Sequence, residues 1–253
     1  MNYIDTHCHL YMDNYKNDRS EIIQRAIDNG VKKMICIGVD LSTSEKSLYL
    51  AEKYSEVFAT AGIHPHEANK VPTNYQHELE QFYKHPKVVA VGEIGLDFHY
   101  NYSDKNEQIQ IFNEQLELAK SESLPAVVHS RKSDHEILDS LNETNNNYGV
   151  IHCFAGSLEF SEQIIKIGYH LSFTGLITFV NELEKVVKNT PLNKMMLETD
   201  SPYLTPIPNR GKRNEPIFIK HIAEKVSTIK EKSIDEIVSQ TNKTVEKFFK
   251  KLK

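Results

Sequence analysis

The sequence predicts an α/β protein, a distorted TIM-like (β/α)8 barrel with extra C-terminal helices. Eight short β-rich runs alternate with longer amphipathic runs along the 253 residues, and such alternation indicates parallel βαβ units. Eight strands close a barrel of this kind, and about 250 residues is its usual length. The alternative, an open doubly wound sheet, normally has a glycine-rich phosphate loop after its first strand. No such loop is present here.

The individual elements follow from the spacing of apolar residues. Strands are predicted over residues 3–6, 33–39, 57–63, 88–93, 126–129, 150–152, 169–173 and 194–198. The clearest helices are predicted over 18–29, 103–123, 157–166, 216–229 and 233–252. Gly30 and Gly168 follow two of these helices, where a left-handed residue commonly ends a helix. No repeat or linker interrupts the pattern, so we expect one barrel over residues 1–253.

Composition excludes several classes of protein. Hydrophobic residues make up 39% and charged residues 26% of the chain, so it can bury a core and is not disordered. The formal net charge of -5 argues against a protein that coats nucleic acid or a membrane, because such binding needs a broad positive surface. The three cysteines do not form a disulfide framework. With no signal peptide and no membrane-length apolar run, we expect a cytoplasmic monomer.

Metal-binding side chains follow successive predicted strands at the same end. They are His7, His9, Glu93, His129, His152 and Asp200. The first two are separated by one residue, so both side chains point to the same side of an extended chain. In a barrel, all the C-terminal strand ends open onto one face, where barrel enzymes have their active sites. A single histidine at a strand end usually has a structural role. Four histidines and two acidic residues at the same end of successive strands instead indicate one metal site.

The ligand set limits the metals and their number. Nitrogen and oxygen donors suit zinc, manganese, iron or nickel, and magnesium less well. Six ligands exceed what one tetrahedral ion requires, so we predict two divalent ions (Zn, Mn or Mg). Two ions about 3.5–4 Å apart can share a bridging hydroxide, which acts as the nucleophile. They can also polarise a phosphoryl oxygen of the substrate.

The order of the strands distributes these ligands. Strands one and eight are neighbours in a closed barrel, so their residues would complete one site: His7, His9 and Asp200. Strands five and six would complete the other: His129 and His152. Glu93, on a middle strand, is the expected bridge. Glu93 and Asp200 are therefore the candidate catalytic residues, and Asp200 could take a proton from the attacking water and return it to the leaving oxygen.

Seven segments of the sequence, which include the six candidate ligands, allow a comparison with known families. They are IDTHCHL (4–10), GIHPH (62–66), VGEIGLDFHY (91–100), PAVVHSR (125–131), HCFAGS (152–157), LSFTGLITF (171–179) and LETDSPYLTPIPNRGKRNEP (197–216). On these segments the sequence resembles the TatD-type metal-dependent deoxyribonucleases, a branch of the amidohydrolase-like barrels. The resemblance implies a distorted barrel, a divalent-metal site on the residues above, and phosphodiester hydrolysis on DNA, usually from the 3′ end. Lys132, Ser133 and Ala155 depart from the family pattern, but none of them is a predicted ligand.

Several residues near the predicted mouth could contact substrate. Arginine forks match phosphate oxygens, and the candidates are Arg131, Arg210 and Arg213. His64 ends the third strand and is expected near the site, with His66 supporting a ligand. The aromatic residues Phe98, His99, Tyr100, Tyr102, Phe154 and Tyr203 could stack on a terminal base, and Tyr203 is the leading candidate among them. Cys8 and Cys153 flank ligands but are predicted to turn away from the mouth as buried small side chains.

Together these observations predict a 3′–5′ exodeoxyribonuclease. Because the acidic chain lacks a long basic groove, its substrate should be DNA ends or single-stranded nucleic acid. One alternative is a metal-dependent hydrolase of another ester or amide, such as a 3′-end aminoacyl-tRNA ester, a lactone or a small phosphoester. The other is a metal-binding protein or scaffold without catalytic activity. Small-molecule hydrolases that bridge their metals with a carboxylated lysine are disfavoured, since Glu93 occupies that strand end.

Overall fold

A computed structural model describes residues 1–100 and 102–252. Eight parallel strands pair in chain order, each with the next. They are β1 (Tyr3–Cys8), β2 (Val31–Cys36), β3 (Val57–Ala61), β4 (Val88–Asp97), β5 (Ala126–Arg131), β6 (Gly149–Ile151), β7 (His170–Phe173) and β8 (Met195–Leu197). All eight predicted strands are present, and the TIM-like (β/α)8 fold is confirmed.

Helices connect the strands, as the alternating pattern predicts. They are α1 (Arg19–Asp28), α2 (Leu41–Lys53), α3 (Tyr75–Tyr83), α4 (Lys105–Ser121), α5 (Asp134–Glu143), α6 (Leu158–Ile167), α7 (Leu183–Asn189), α8 (Ile219–Lys230) and α9 (Ile234–Phe248). The last two are the expected C-terminal helices. A 3-10 turn at Pro216–Phe218 precedes α8. Among the described residues, no helix has both the length and the apolar character needed to cross a bilayer.

Three of the helix ends show how capping residues begin and end the helices, two of them at the predicted glycines. At the start of α4, Asp104 accepts a hydrogen bond from the backbone N–H of Asn106 and forms a capping box with Glu107. Gly30 and Gly168 follow α1 and α6 with φ angles of 92° and 118°. Only glycine adopts such angles without a steric cost to a Cβ atom. The chain can therefore turn sharply into the next strand.

The barrel is nearly closed, and the closure lies beyond the end of β8. β1 and β8 do not pair directly; instead, an isolated parallel bridge joins Cys8 to Ser201. The backbone N–H of Asp200 donates to the carbonyl of His7 at 2.8 Å, and that of His9 donates to the carbonyl of Ser201 at 2.8 Å. These bonds bring the start and the end of the strand order together at the same face of the barrel.

The barrel has an apolar layer inside it that is separate from the layer under the surrounding helices. The inner cluster contains strand residues such as Ile4, Val89 and Met196, together with Phe248 and Phe249 from the end of α9. These strand residues lie near the N-terminal ends of their strands. The C-terminal segment therefore covers the bottom of the barrel, and the opposite face stays open for the polar side chains.

His170, the first residue of β7, is part of this bottom layer. Its ring packs against Phe248 with the ring centroids 4.8 Å apart, and its Nδ1 atom is buried without a hydrogen-bond partner. Burial lowers the pKa of His170 to about 4, and the charge of Lys194 adds to the effect. The folded protein therefore favours the neutral ring.

This shift predicts a loss of stability in acid. A histidine with a lowered pKa stabilises the fold above its unfolded value of about 6.5, and this contribution is lost as the pH falls from there towards the folded value. Between pH 7.5 and 5.0 we expect the free energy of unfolding of wild type to fall by about 2 kcal/mol more than that of His170→Gln. Urea unfolding at both pH values measures this difference. His77→Gln, at an exposed position of α3, is the control, and its free energy of unfolding should decrease as much as that of wild type. An equal decrease in all three proteins would contradict the prediction.

Candidate metal centre

The six predicted ligands meet at the C-terminal face of the barrel. They come from the ends of β1, β5 and β6, from within β4, and from the segment after β8: His7, His9, Glu93, His129, His152 and Asp200. The structure brings their ligand atoms together in overlapping groups, within each of which the atoms lie within 4.8 Å of one another. The groups border a cavity of about 780 Å³ that opens at this face.

The first group joins β1 to the segment after β8. The Nε2 atoms of His7 and His9 lie 3.3 Å apart, because alternation along the extended chain turns both rings to the same side. The Oδ1 atom of Asp200 lies 3.3 Å from the Nε2 atom of His9 and 3.6 Å from that of His7. The closing backbone bonds of the barrel hold Asp200 at this position.

The second group surrounds Glu93. Its Oε1 atom lies 2.8 Å from the Nε2 atom of His152 and 3.1 Å from the Nδ1 atom of His129. Its Oε2 atom points towards the first group, 3.4 Å from the Nε2 atom of His7. The two oxygens of one carboxylate therefore face two different sets of imidazoles. Imidazole nitrogens and carboxylate oxygens that crowd together in this way fit divalent cations such as zinc or manganese.

Asp97, which the sequence analysis did not single out, orients His129. Its Oδ2 atom lies 3.2 Å from the Nε2 atom of His129 and 2.9 Å from that of His66. Its Oδ1 atom accepts the backbone N–H groups of His99 and Tyr100. With its Nε2–H turned to Asp97, the ring of His129 presents Nδ1 to Glu93. A ligand histidine is commonly oriented by such a carboxylate.

Glu198 has the same relation to His152. Its Oε1 atom lies 3.4 Å from the Nδ1 atom of His152 and accepts the backbone N–H of Cys153 at 2.6 Å. His152 therefore presents its Nε2 atom to Glu93. Both orienting carboxylates had a signal in the sequence: Asp97 follows Glu93 by four residues on one strand, and Glu198 precedes Asp200 by two.

His64 lies beside Glu93 as a hydrogen-bond donor. The backbone N–H of His66 donates to the Nδ1 atom of His64 at 3.1 Å, so the neutral ring carries its hydrogen on Nε2. That atom lies 3.4 Å from the Oε1 atom of Glu93. Burial lowers the pKa of His64 to about 4. Although His64, Glu93 and His129 form one of the possible ligand groups, this tautomer leaves no lone pair on Nε2 for a metal.

Charges within the site hold its carboxylates in the ionised form. Burial by itself would raise the pKa of Glu93, but the neighbouring His152 and His64 lower it well below its usual value. The pKa of Asp200 is also lowered, since a hydrogen bond from His9 outweighs the effect of burial. Burial lowers the pKa of His7. Burial alone would also lower the pKa of His9, His129 and His152, but neighbouring carboxylates raise it. A cation that binds these rings would therefore displace protons from them.

The predicted substrate contacts divide into two sets. His64, Arg131 and Tyr203 line the cavity. Arg210 and Arg213 are not among the lining residues. The guanidinium of Arg210 lies 3.9 Å from the centre of the Phe179 ring and donates to the carbonyl of Thr205.

The guanidinium of Arg213 binds the first loop of the chain instead of facing the cavity. It forms an ion pair with Asp18 at 2.6 Å and a second one with Glu215 at 3.4 Å, and it lies over the ring of Tyr15. Both arginines in this part of the sequence therefore stabilise the loop after β8.

Two expectations about the neighbours of His152 are wrong. Cys153 does not turn away from the mouth: it is partly exposed and lines the cavity. Its φ angle of 45° breaks the strand alternation on which the expectation depended. Phe154 is buried in the core, where it stacks on Phe160, so it is not a mouth residue. Cys8 is buried as expected.

The barrel and the position of this cluster define the class of the protein. Barrel enzymes have their active sites at the C-terminal ends of the strands, where this chain gathers histidine and carboxylate side chains that could hold a metal, and the chain is a metal-dependent hydrolase. It belongs to the TatD-related DNase family, whose model matches residues 4–250.

Individual relatives cover nearly the whole chain. It is 36% identical to an uncharacterized metal-dependent hydrolase, YabD, of Bacillus subtilis over 97% of this chain and 98% of that protein. It is 32% identical to the 3′-5′ ssDNA/RNA exonuclease TatD of Erwinia amylovora over 94% of this chain and 95% of that protein. Among solved structures, the TatD homologue YJJV of Escherichia coli superposes with a TM-score of 0.93 at 31% identity, with 98% of both chains covered.

The role of Asp97 predicts a loss of metal affinity on substitution. In Asp97→Asn the side chain is neutral and cannot accept N–H groups from His66 and His129 with the strength of a carboxylate. We expect the dissociation constant for zinc to rise about 10- to 100-fold. Competition with a fluorescent chelator measures it on metal-stripped protein.

A second carboxylate near the mouth provides the control for this experiment. Asp134 accepts a hydrogen bond from Ser130 at 3.4 Å and contacts none of the six ligands. Asp134→Asn should therefore bind zinc as wild type does. If both variants bound zinc equally well, Asp97 would have no part in orienting His129.

Proposed function

We propose that this protein is a 3′–5′ exodeoxyribonuclease that uses two divalent metal ions to cleave phosphodiester bonds at single-stranded ends. The observation that carries the proposal is the position of Glu93, whose two oxygens face two different sets of imidazoles. A carboxylate in this position can bridge two cations. Family membership and the exonuclease relative from Erwinia amylovora support the choice of a nucleic-acid substrate.

In this proposal the ligands divide as the strand order suggested. His7, His9 and Asp200 would hold one ion, His129 and His152 would hold the other, and Glu93 would contribute an oxygen to each. Zinc, manganese and magnesium are the candidate ions. When bound, they would supply Lewis-acid chemistry that polarises a phosphoryl oxygen and stabilises the charge that develops on it.

The proton is handled by Asp200. Its pKa is lowered, so it is ionised and can accept a proton from the attacking water. The same carboxyl group then returns the proton to the leaving 3′ oxygen, and the enzyme regains its starting state. His9, 3.3 Å away, fixes the direction of the carboxylate.

Three residues of the cavity wall bind the substrate in this proposal. The Nε2–H of His64 donates to a non-bridging oxygen of the scissile phosphate, since it already points to the centre of the site. Arg131 contacts a second phosphate as a bidentate fork. Tyr203 stacks on a base. None of these three contacts requires a change in the fold.

The direct test is cleavage by the metal-stripped protein after manganese, magnesium or zinc is added. A single-stranded DNA oligonucleotide labelled at its 5′ end should be shortened stepwise from its 3′ end. Glu93→Ala and Asp200→Ala should lower the rate at least about 100-fold, since each removes a group that acts in the transition state. Products are resolved on a denaturing gel.

Matched reactions separate this proposal from hydrolysis of other esters. Aminoacyl esters of a 3′ nucleoside and simple lactones are incubated with the same preparations. If these compounds are hydrolysed while the oligonucleotide stays intact, the enzyme acts on carboxylic esters and the nuclease proposal fails. Equal cleavage of the oligonucleotide by wild type and both variants would instead point to a contaminating nuclease.

The bridging role of Glu93 predicts how much metal each variant retains. We expect Glu93→Gln to lose both ions, because it loses a charge shared between them, and His129→Asn to lose about one of the two. His64→Asn is the matched control and should retain both, since its ring nitrogen at Nε2 carries hydrogen. Bound metal per chain after dialysis is measured by mass spectrometry. Full retention by Glu93→Gln would contradict the bridge.

A further inference from the structure

The wall of the cavity carries little positive charge. Among the described residues that line it, Arg131 is the one lysine or arginine, whereas Glu67, Glu93, Asp97 and Asp200 are acidic. The two arginines after β8 are held by other contacts. A protein that follows a phosphate backbone neutralises one charge with lysine or arginine at each contact. Beyond the proposed metal centre, this wall provides for about one further phosphate.

Exposed tyrosines give the cavity a second way to bind nucleic acid, through the bases and not through the phosphates. Tyr100, Tyr102 and Tyr203 all line the cavity, and their exposed fractions are 41%, 60% and 51%. Tyr100 and Tyr102 stack on each other with ring centroids 5.4 Å apart, and the guanidinium of Arg131 lies 4.7 Å from the centre of the Tyr100 ring. Exposed rings at a polar site are suitable for stacking with nucleobases.

These aromatic residues lie on opposite sides of the mouth. Tyr203 follows β8, whereas Tyr100 and Tyr102 follow β4, and these two strands lie four apart in a ring of eight. Tyr203 packs edge-on near His9 with a centroid distance of 6.3 Å, and Tyr102 packs near His66 at 4.7 Å. The metal ligands lie between the two sides, so the scissile phosphate would have one aromatic surface on each flank.

The size of the cavity limits what can occupy it. Its volume of about 780 Å³ lies in the range of roughly 300–1,000 Å³ that is typical of sites for small molecules. Beyond it, a longer strand would meet Glu67, whose carboxylate pairs with Lys70 at 2.9 Å, so this side of the mouth presents an ion pair and not an unpaired cation. Additional nucleotides therefore gain little binding energy.

We propose that the preferred substrates are very short 5′-phosphorylated single strands of two or three nucleotides, each held by its scissile phosphate, one flanking phosphate (in a dinucleotide, the 5′-terminal phosphate) and its bases. This inference rests on the proposed nuclease function and specifies its substrate class. One base stacks on Tyr203 and the other on the Tyr100–Tyr102 pair, while Arg131 binds the flanking phosphate. A long strand is cleaved at its end with no additional affinity from its length.

The first experiment measures kcat/KM for 5′-phosphorylated thymidine oligonucleotides of 2, 3, 6 and 12 nucleotides at saturating manganese. We expect the values to differ by less than about threefold. In potassium chloride the slope of log kcat/KM against log salt should be about -0.7 to -1.4, the value for one or two phosphate contacts on a single strand. A rise of tenfold or more with length, or a slope steeper than about -3, would overturn the inference and leave the nuclease proposal intact. Failure to cleave any length would instead remove the nuclease proposal.

Variants test the individual contacts. Tyr203→Leu and Tyr100→Leu should each raise KM for the dinucleotide about 10-fold, as expected for the loss of one stacked base, with unchanged metal content. Tyr49→Leu is the matched control, because Tyr49 is an equally exposed tyrosine on α2 outside the cavity. Arg131→Gln should reduce the salt slope by about 0.7. If the two mouth variants behave as Tyr49→Leu does, the bases are not held by these rings.

Discussion

The structure depends on a few backbone hydrogen bonds that join β1 to the segment after β8. Because β8 ends at Leu197, the barrel closes through the bonds of His7 and His9 to residues 200 and 201. The same bonds set the distance between the histidines of the first strand and the carboxylate of Asp200. The same backbone bonds therefore close the barrel and position the group formed by His7, His9 and Asp200. A shift in the register between β1 and residues 200–201 would disrupt both.

A second constraint is the balance of charge inside the open face. Two ionised carboxylates, Glu93 and Asp200, lie among histidines whose free nitrogens are directed by two other carboxylates, Asp97 and Glu198. Asp97 hydrogen-bonds one edge of the His129 ring, and Glu198 lies 3.4 Å from one edge of the His152 ring, so that the other edge of each ring faces the centre. This arrangement explains why His129 presents Nδ1 while His152 presents Nε2.

The strands and the meeting of the six candidate ligands at one face could be predicted, because the strands follow from local apolar patterns and the meeting follows from the barrel that those strands form. Apolar runs define strands, and barrel topology places all C-terminal strand ends together. Other features depend on contacts distant in the chain or on local backbone angles. The partner of Arg213 is Asp18, 195 residues away, which no local pattern reveals. Asp97 was missed because β4 continues past its predicted end, and Cys153 was misplaced because a left-handed residue breaks alternation.

The covering of the barrel bottom by α9 has a consequence for synthesis on the ribosome. β1 emerges first, yet its neighbour across the closure and the phenylalanines below it come from the last quarter of the chain. Contacts between such distant segments form late, because the loop that they close is long. The nascent chain therefore exposes an unpaired strand edge and incomplete ligand groups for most of its translation. In the two-ion proposal, the group formed by His7, His9 and Asp200 would be complete only after Asp200 has left the ribosome.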